Sequence, residues 1–283
     1  MKCGQNKDPD GFTLVTNKQK RRKNKSKKCN ITTPSLPQSE VEVFKRSKIE
    51  TIQKDLYYST FFSTFIENLN QALNNILQPL KHHPTEIMNV TDNFNNLDIS
   101  SSNEVDIVCY GLGHFITCMI ARYQLAFLLS LKEVLHADTV TVFDPVFLVE
   151  EKCFLKELGF DVLEVNEEAK RPIFRKTIFF MPHCDLPLYD NLLSANWNEN
   201  GLPNLIIIGN SFQNYFLKTP ERELKRKAKY VFYSWEIVTE NTICNNFQFT
   251  DVFNDLSVHY FQSKDLATFQ KFDICDIDDE NIK

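Results

Sequence analysis

Between residues 105 and 209 the chain alternates short β-rich, mostly apolar runs with longer stretches of helical periodicity. The runs are VDIVCY (105–110), TVTVF (139–143), FDVLEV (160–165), TIFFM (177–181) and LIIIG (205–209). Strands that are apolar at nearly every position suit a sheet covered on both faces, which is the habit of parallel sheets. The spacing leaves room for a crossover helix between most of them. The first crossover, roughly Phe115 to Leu135, is nearly all apolar. Its small or polar stripe, Arg122, Ala126, Ser130 and Glu133, is expected to face solvent. The pattern predicts an α/β, Rossmann-like, doubly wound and mostly parallel sheet.

Ahead of this region, Val41 to Gln78 reads as one helix. Phe62, Phe65, Ile66, Leu69, Leu73, Ile76 and Leu77 recur at three- and four-residue spacing, with Asn68, Gln71, Asn75 and Gln78 opposite. Pro79 and Pro84 end it. Residues 81–104 are polar and rich in Asn and Ser, the composition of a loop, and His82-His83 within them reads as solvated. Beyond the sheet, a helix is expected to open at Thr219-Pro220. Glu221 and Glu223 sit near its positive end, and Lys225, Arg226, Lys227 and Lys229 near its negative end. VFYSW (231–235) and FQFTDVFNDLSVHYF (247–261) read as further strands, closing the sheet with an antiparallel edge. The expected organisation is a disordered basic tail and linker (1–40), a helical extension (41–80), a loop (81–104), an α/β domain (105–265) and an acidic tail (266–283).

Composition sharpens this in two places. The chain has 283 residues, 42% of them apolar and 24% charged, with 24 Phe, which excludes a wholly disordered chain. The net charge of −5 is uneven: residues 1–28 hold ten Lys and Arg against two acids, and the rest holds 22 basic against 35 acidic side chains. Only the tail therefore suits nucleic acid, as a solvated arm or an import signal. The eight cysteines include no CxxC pair. Cys109 and Cys118 fall in apolar runs, where a thiol acts as a small hydrophobe. With no apolar stretch at the start, the expected setting is intracellular: cytoplasmic, and nuclear through the basic run. The long apolar stretch from Ile107 to Leu131 is interrupted by His114, Arg122 and Gln124. An arginine near mid-span costs about 2.5–3.5 kcal/mol on insertion scales, so no membrane partner is expected.

Candidate chemistry gathers behind the strands. In an open parallel sheet, ligands bind beyond the carboxyl ends of the strands. The first strand is followed by Gly111-Leu112-Gly113-His114, the second by Asp144-Pro145, the fourth by Pro182-His183-Cys184-Asp185, and the fifth by Gly209-Asn210-Ser211. Three of only seven glycines are spent here. Gly111 and Gly113 resemble half of a dinucleotide or S-adenosylmethionine loop, with Ile116 where a third glycine would stand. Asp144 is placed to take ribose hydroxyls; alternatively, the two glycines simply let a helix pack tightly. The candidate ligand residues are Gly111, Gly113, His114, Asp144, His183, Cys184, Gly209, Asn210 and Ser211, for a nucleotide-like small molecule. No particular cofactor is singled out. His183 and Cys184 admit two sharper readings. One is a thiol nucleophile, and the other is a metal pair completed from His114, Asp144 and His259. Asp251, Asn254, Asp255 and His259 either reach the same cleft or cap a turn.

At these residues the chain resembles the SRR-like family, named for "sensitivity to red light reduced". The resemblance runs from about Val105 to Phe261. It is carried by VCYGLGHF (108–115), ARYQLAFLL (121–129), VFDPVF (142–147), LGFDVLEVNEEAKR (158–171), MPHCDLPLYDNLLSANW (181–197), IIIGNSF (206–212) and FNDLSVHYF (253–261). His114 departs from the small polar residue expected there. The resemblance implies a regulatory protein: circadian-clock input and light signalling in plants, clock-gene expression and regulation of haem biosynthesis in animals. It implies protein partners without naming them, and it carries over no catalytic residue. The competing expectation is an S-adenosylmethionine-dependent methyltransferase or another nucleotide-binding enzyme, and a third is a haem or metal binder.

Overall fold

A computed structural model describes residues 46–77, 105–137 and 139–262. The tail 1–40, the segment 81–104 with His82-His83, and the acidic end 266–283 lie outside the described residues.

The single helix expected before the sheet is two: α1 (Arg46–Tyr57) and α2 (Thr60–Leu77). Ser59 divides them. Its hydroxyl accepts the Phe62 amide at 3.2 Å and so caps α2, the task for which serine is favoured at helix starts. Phe61, Phe62, Phe65, Ile66, Leu69 and Ala72 form the buried face of α2.

Seven strands follow: β1 (Asp106–Tyr110), β2 (Val140–Phe143), β3 (Asp161–Val162), β4 (Thr177–Met181), β5 (Leu205–Asn210), β6 (Val238–Thr242) and β7 (Leu256–Phe261). They form one sheet in the order β3-β2-β1-β4-β5-β7-β6. β1 to β5 are parallel, with Cys109 opposite Val142 and Phe179 opposite Ile207. β7 runs antiparallel to both its neighbours, β5 and β6. The reversed strand therefore lies inside the sheet, and β6 is the edge. β6 escaped the sequence reading because VTENT is polar and only half-buried, a composition that suits an edge strand. The fold is a Rossmann-like doubly wound sheet.

Helices cover both faces. Ile107, Cys109, Val142, Ile178, Phe180, Ile208 and Val258 share one cluster with α3 (Met119–Val134) and with α1 and α2. Val108, Tyr110, Phe179, Met181, Ile207 and Phe261 share the other. That second layer holds α5 (Leu186–Ala195), α6 (Phe212–Lys218), α7 (Glu221–Lys227) and α8 (Lys229–Ser234). α4 (Val149–Glu157) lies between β2 and β3 in the chain and packs against β3.

Of the stripe expected to face solvent on α3, Glu133 is exposed and Arg122 half-buried, whereas the two middle positions are buried. Ala126 and Ser130 are fully covered, because α1 packs on the outer side of α3 and removes that face from water. Ser130 meets its own helix, donating to the Ala126 carbonyl at 3.1 Å. Phe127 is the hub of this layer, with ring contacts to Phe61, Phe62, Phe65, Phe180 and Phe253. VFYSW is helical rather than a strand: Val231 to Ser234 belong to α8, whose Val231 and Tyr230 amides are capped by Asp190 at 3.0 and 2.7 Å. Thr219 ends α6, and Pro220 precedes α7. Cys109 is buried as expected, whereas Cys118 is exposed at the start of α3.

Ala126→Lys tests the buried stripe. A charge without a partner in that layer is expected to cost about 3 kcal/mol and to lower the thermal midpoint sharply. An unchanged midpoint would return this face of α3 to solvent.

Candidate functional site

The turn after β1 reverses the chain within a few residues. Gly111 and Gly113 both have positive φ, +75° and +78°, the region that glycine enters without steric cost. Two buried carboxylates take the amides this turn leaves free. Asp144, just past β2, accepts the Gly113 amide at 2.8 Å with one oxygen and the Val146 amide at 2.9 Å with the other. Glu151, in the first turn of α4, accepts Ile116 N–H and Leu148 N–H, both at 3.1 Å. It also meets His114 Nδ1 at 3.2 Å. Periodicity did not single out Glu151. The signal available was its place three residues after Leu148, at the start of an apolar-periodic segment.

The end of β4 joins this structure from the other side of the switch point. A side chain on Gly111 would meet the Cys184 sulfur at 2.6 Å. The Cys184 thiol donates to the Tyr110 carbonyl at 3.3 Å. Asn210, at the end of β5, ties the next link: its Oδ1 accepts the His183 amide at 2.8 Å, and its Nδ2 donates to the Cys184 carbonyl at 3.1 Å. Ser211 caps α6 by accepting Asn214 N–H at 3.2 Å, and its own amide donates to the Asp255 carbonyl at 2.9 Å. An unbroken path of contacts thus runs from β2 across β1 and β4 to β5, and Gly111, Gly113, His114, Asp144, His183, Cys184, Asn210 and Ser211 lie along one rim.

Gly209 does not line that rim. It is the fifth residue of β5, and a side chain there would strike the Tyr189 ring of α5 at 2.7 Å. Its glycine serves close packing of helix on sheet. The thiol at 184 is also not set up as a nucleophile. Burial, with Asp144 and Asp185 nearby, pushes it up to about 12, so it stays protonated near neutrality. The neighbouring imidazole serves elsewhere, with His183 Nε2 at 3.2 Å from the Val252 carbonyl. Among the described residues, no three His, Cys, Asp or Glu side chains gather as a metal site. His259 lies within the sheet, fully buried. It is stacked on Phe212, with Nδ1 3.2 Å from the Ile207 carbonyl and Nε2 3.6 Å from Glu240. Burial alone would raise the Glu240 carboxyl, but hydrogen bonds to His259, Ser211 and the Gln213 amide outweigh it and hold the group at about 2.

As a seat for a cofactor of the S-adenosylmethionine type, the rim fits at one end. Gly113 is half-buried, and a side chain added there would come into ordinary contact with Ala121 at 3.6 Å. Each Asp144 oxygen holds one backbone amide and retains a lone pair for a hydroxyl. Gly111 is exposed, and only the direction a side chain would take is filled, by the Cys184 sulfur. The site therefore suits a small polar group at the Gly113–Asp144 end.

Fold and rim together define a Rossmann-like α/β protein with its polar residues collected at the carboxyl edge of a parallel sheet. The SRR1 domain model matches residues 90–260, and the chain belongs to that family. Protein SENSITIVITY TO RED LIGHT REDUCED 1 of Arabidopsis thaliana is 30% identical over 227 residues, which is 77% of this chain and 74% of that protein. An SRR1-like protein of Mus musculus is 35% identical over 69% of this chain and 82% of its own length. One of Drosophila melanogaster is 27% identical over 91% and 84%. Among solved structures, the 23S rRNA methyltransferase ErmE matches 60% of this chain and 67% of its own at 11% identity and a TM-score of 0.35. The plantazolicin methyltransferase BpumL matches 80% and 93% at 13% identity and a TM-score of 0.34. Scores of this size carry no functional argument. Among the described residues, no helix is long and apolar enough to cross a membrane.

Two outcomes follow from this geometry. Gly111→Ala is expected to cost about 2–4 kcal/mol, from positive φ and from the sulfur in its path. Adding Cys184→Ala should recover only the contact share, about 1 kcal/mol, in a double-mutant cycle. Strict additivity would mean that the two residues do not touch. Glu240 should shape the acid limb of stability. Because its folded value lies below the ordinary 4.5, its contribution is complete above that pH and is lost as pH falls towards 2. Urea midpoints measured between pH 2 and 6 should fall less steeply in Glu240→Gln; parallel curves would remove the pair from the account.

Proposed function

We propose that this chain is a regulatory protein of light and clock input whose rim binds a small nucleotide-like molecule. Membership of the SRR1 family and likeness to a plant protein named for red-light sensitivity support the regulatory part. The continuous path from Asp144 through Gly113, Cys184 and Asn210 carries the ligand part. It links four strand ends along one edge, where Gly113 and Asp144 would offer backbone and a carboxylate acceptor to a ligand hydroxyl. Haem biosynthesis in animals, and action in cytoplasm and nucleus, belong to this same proposed role.

A second reading is an S-adenosylmethionine-dependent methyltransferase. It is favoured by the glycine turn after β1, the carboxylate after β2, and a seventh strand that enters the sheet antiparallel between β5 and β6.

Calorimetric titration of the full chain with S-adenosylmethionine, S-adenosylhomocysteine, NAD and haem separates these readings. Binding of either S-adenosyl compound that is lost in Asp144→Ala, with the thermal midpoint recorded alongside, is the expected result. Transfer of a methyl group to protein or RNA would move the assignment to the enzyme. No nucleotide binding at all would leave the rim without a ligand. For the regulatory part, expression in Arabidopsis plants lacking the red-light relative is expected to restore their response, and failure of a well-expressed chain to do so would count against a shared role.

A further inference from the structure

We propose that His114 and Glu151 form a proton-accepting pair at the rim, in which His114 Nε2 receives a hydrogen bond, and in a reaction a proton, from a hydroxyl or amine of the bound molecule. The proposal rests on the rim being a ligand site, and it goes further by assigning one atom a chemical task.

Glu151 has a fully buried side chain, whereas that of His114 is 41% exposed. The carboxylate is already engaged without the histidine: Oε1 holds the Ile116 amide and Oε2 the Leu148 amide. It serves as an acceptor on both oxygens, so the third contact, at 3.2 Å from His114 Nδ1, must be a donation from the ring. That fixes the proton on Nδ1 and leaves the lone pair of the neutral imidazole on Nε2. The two nitrogens lie on opposite sides of the ring. With Nδ1 anchored to a buried group and the ring part-exposed, Nε2 belongs to the outer side.

Position adds to the chemistry. His114 directly follows Gly113, which is half-buried and whose amide is held by Asp144. Of the other histidines near this edge, His259 is enclosed, and His183 donates through Nε2 to the Val252 carbonyl, so its tautomer is the opposite of the one assigned to His114. If Nε2 takes a proton from a ligand O–H or N–H, the electron pair stays on the ligand atom. The new imidazolium charge faces the Glu151 carboxylate, which stabilises it. A ribose hydroxyl or a primary amine is the class of group that fits.

The test uses the full chain. Nitrogen-15 spectra of the histidines are expected to show His114 in the Nδ1–H form by about tenfold or more over the alternative, the bias a hydrogen bond to a charged group supplies. In Glu151→Gln, with its thermal midpoint measured, that bias should collapse. Diethylpyrocarbonate, which attacks a free imidazole lone pair, should modify His114, and saturating S-adenosylhomocysteine should slow that modification. A dominant Nε2–H form, or a His114 that diethylpyrocarbonate does not modify, overturns the proposal. If S-adenosylhomocysteine binds the wild-type chain and His114→Gln equally and leaves the modification rate unchanged, the acceptor role is overturned while the rim stands as a site. If it does not bind, but the tautomer and the reactivity are as expected, the paired acceptor is supported and the rim loses this ligand class.

Discussion

Two buried carboxylates bind the loop after β1 to the loop after β2. Asp144 holds the Gly113 and Val146 amides, and Glu151 holds those of Ile116 and Leu148. A turn with two residues at positive φ leaves N–H groups facing away from any strand or helix, and unpaired buried amides are costly. Acceptors with two oxygens each meet that need and, in doing so, clamp neighbouring strand ends. The placing of α3, the access to Gly113 and the orientation of His114 all follow from this clamp.

The same economy explains the rest of the rim. Cys184 fills the space that Gly111 leaves, and Asn210 occupies both sides of its amide on the chain after β4. Every part of the edge is thus tied by its own hydrogen bonds, with Gly111 and His183 exposed and Gly113 and His114 half-buried. The N-terminal helices contribute from behind: by burying the outer side of α3 against α1, they stiffen the element that carries the turn.

Much of this was legible in the residues. Apolar runs of five or six placed β1, β2, β4 and β5 closely, because a strand covered on both faces must be apolar throughout. Strand β6 and helix α8 were not legible. VTENT at a sheet edge needs no hydrophobic pattern, and the aromatic run at 231–235 has equal claims to strand and helix until Asp190 caps it. The stripe on α3 misled for a related reason, since alanine and serine are as content between two packed layers as at the surface.

Local patterning by itself determined the α/β class, the alternation of strands and crossovers, and the placing of polar and glycine residues behind the strands. These depend on periodicity and on the backbone freedom of glycine, both properties of short segments. Tertiary structure alone decided which of those residues bond to one another along the edge and which pack elsewhere in the protein. Asp144 braces a turn, Gly209 receives the Tyr189 ring, and Glu151 enters the site from a helix 35 residues beyond Ile116. Partners so far apart in the chain are chosen by packing in three dimensions, and no spacing rule within one segment encodes them.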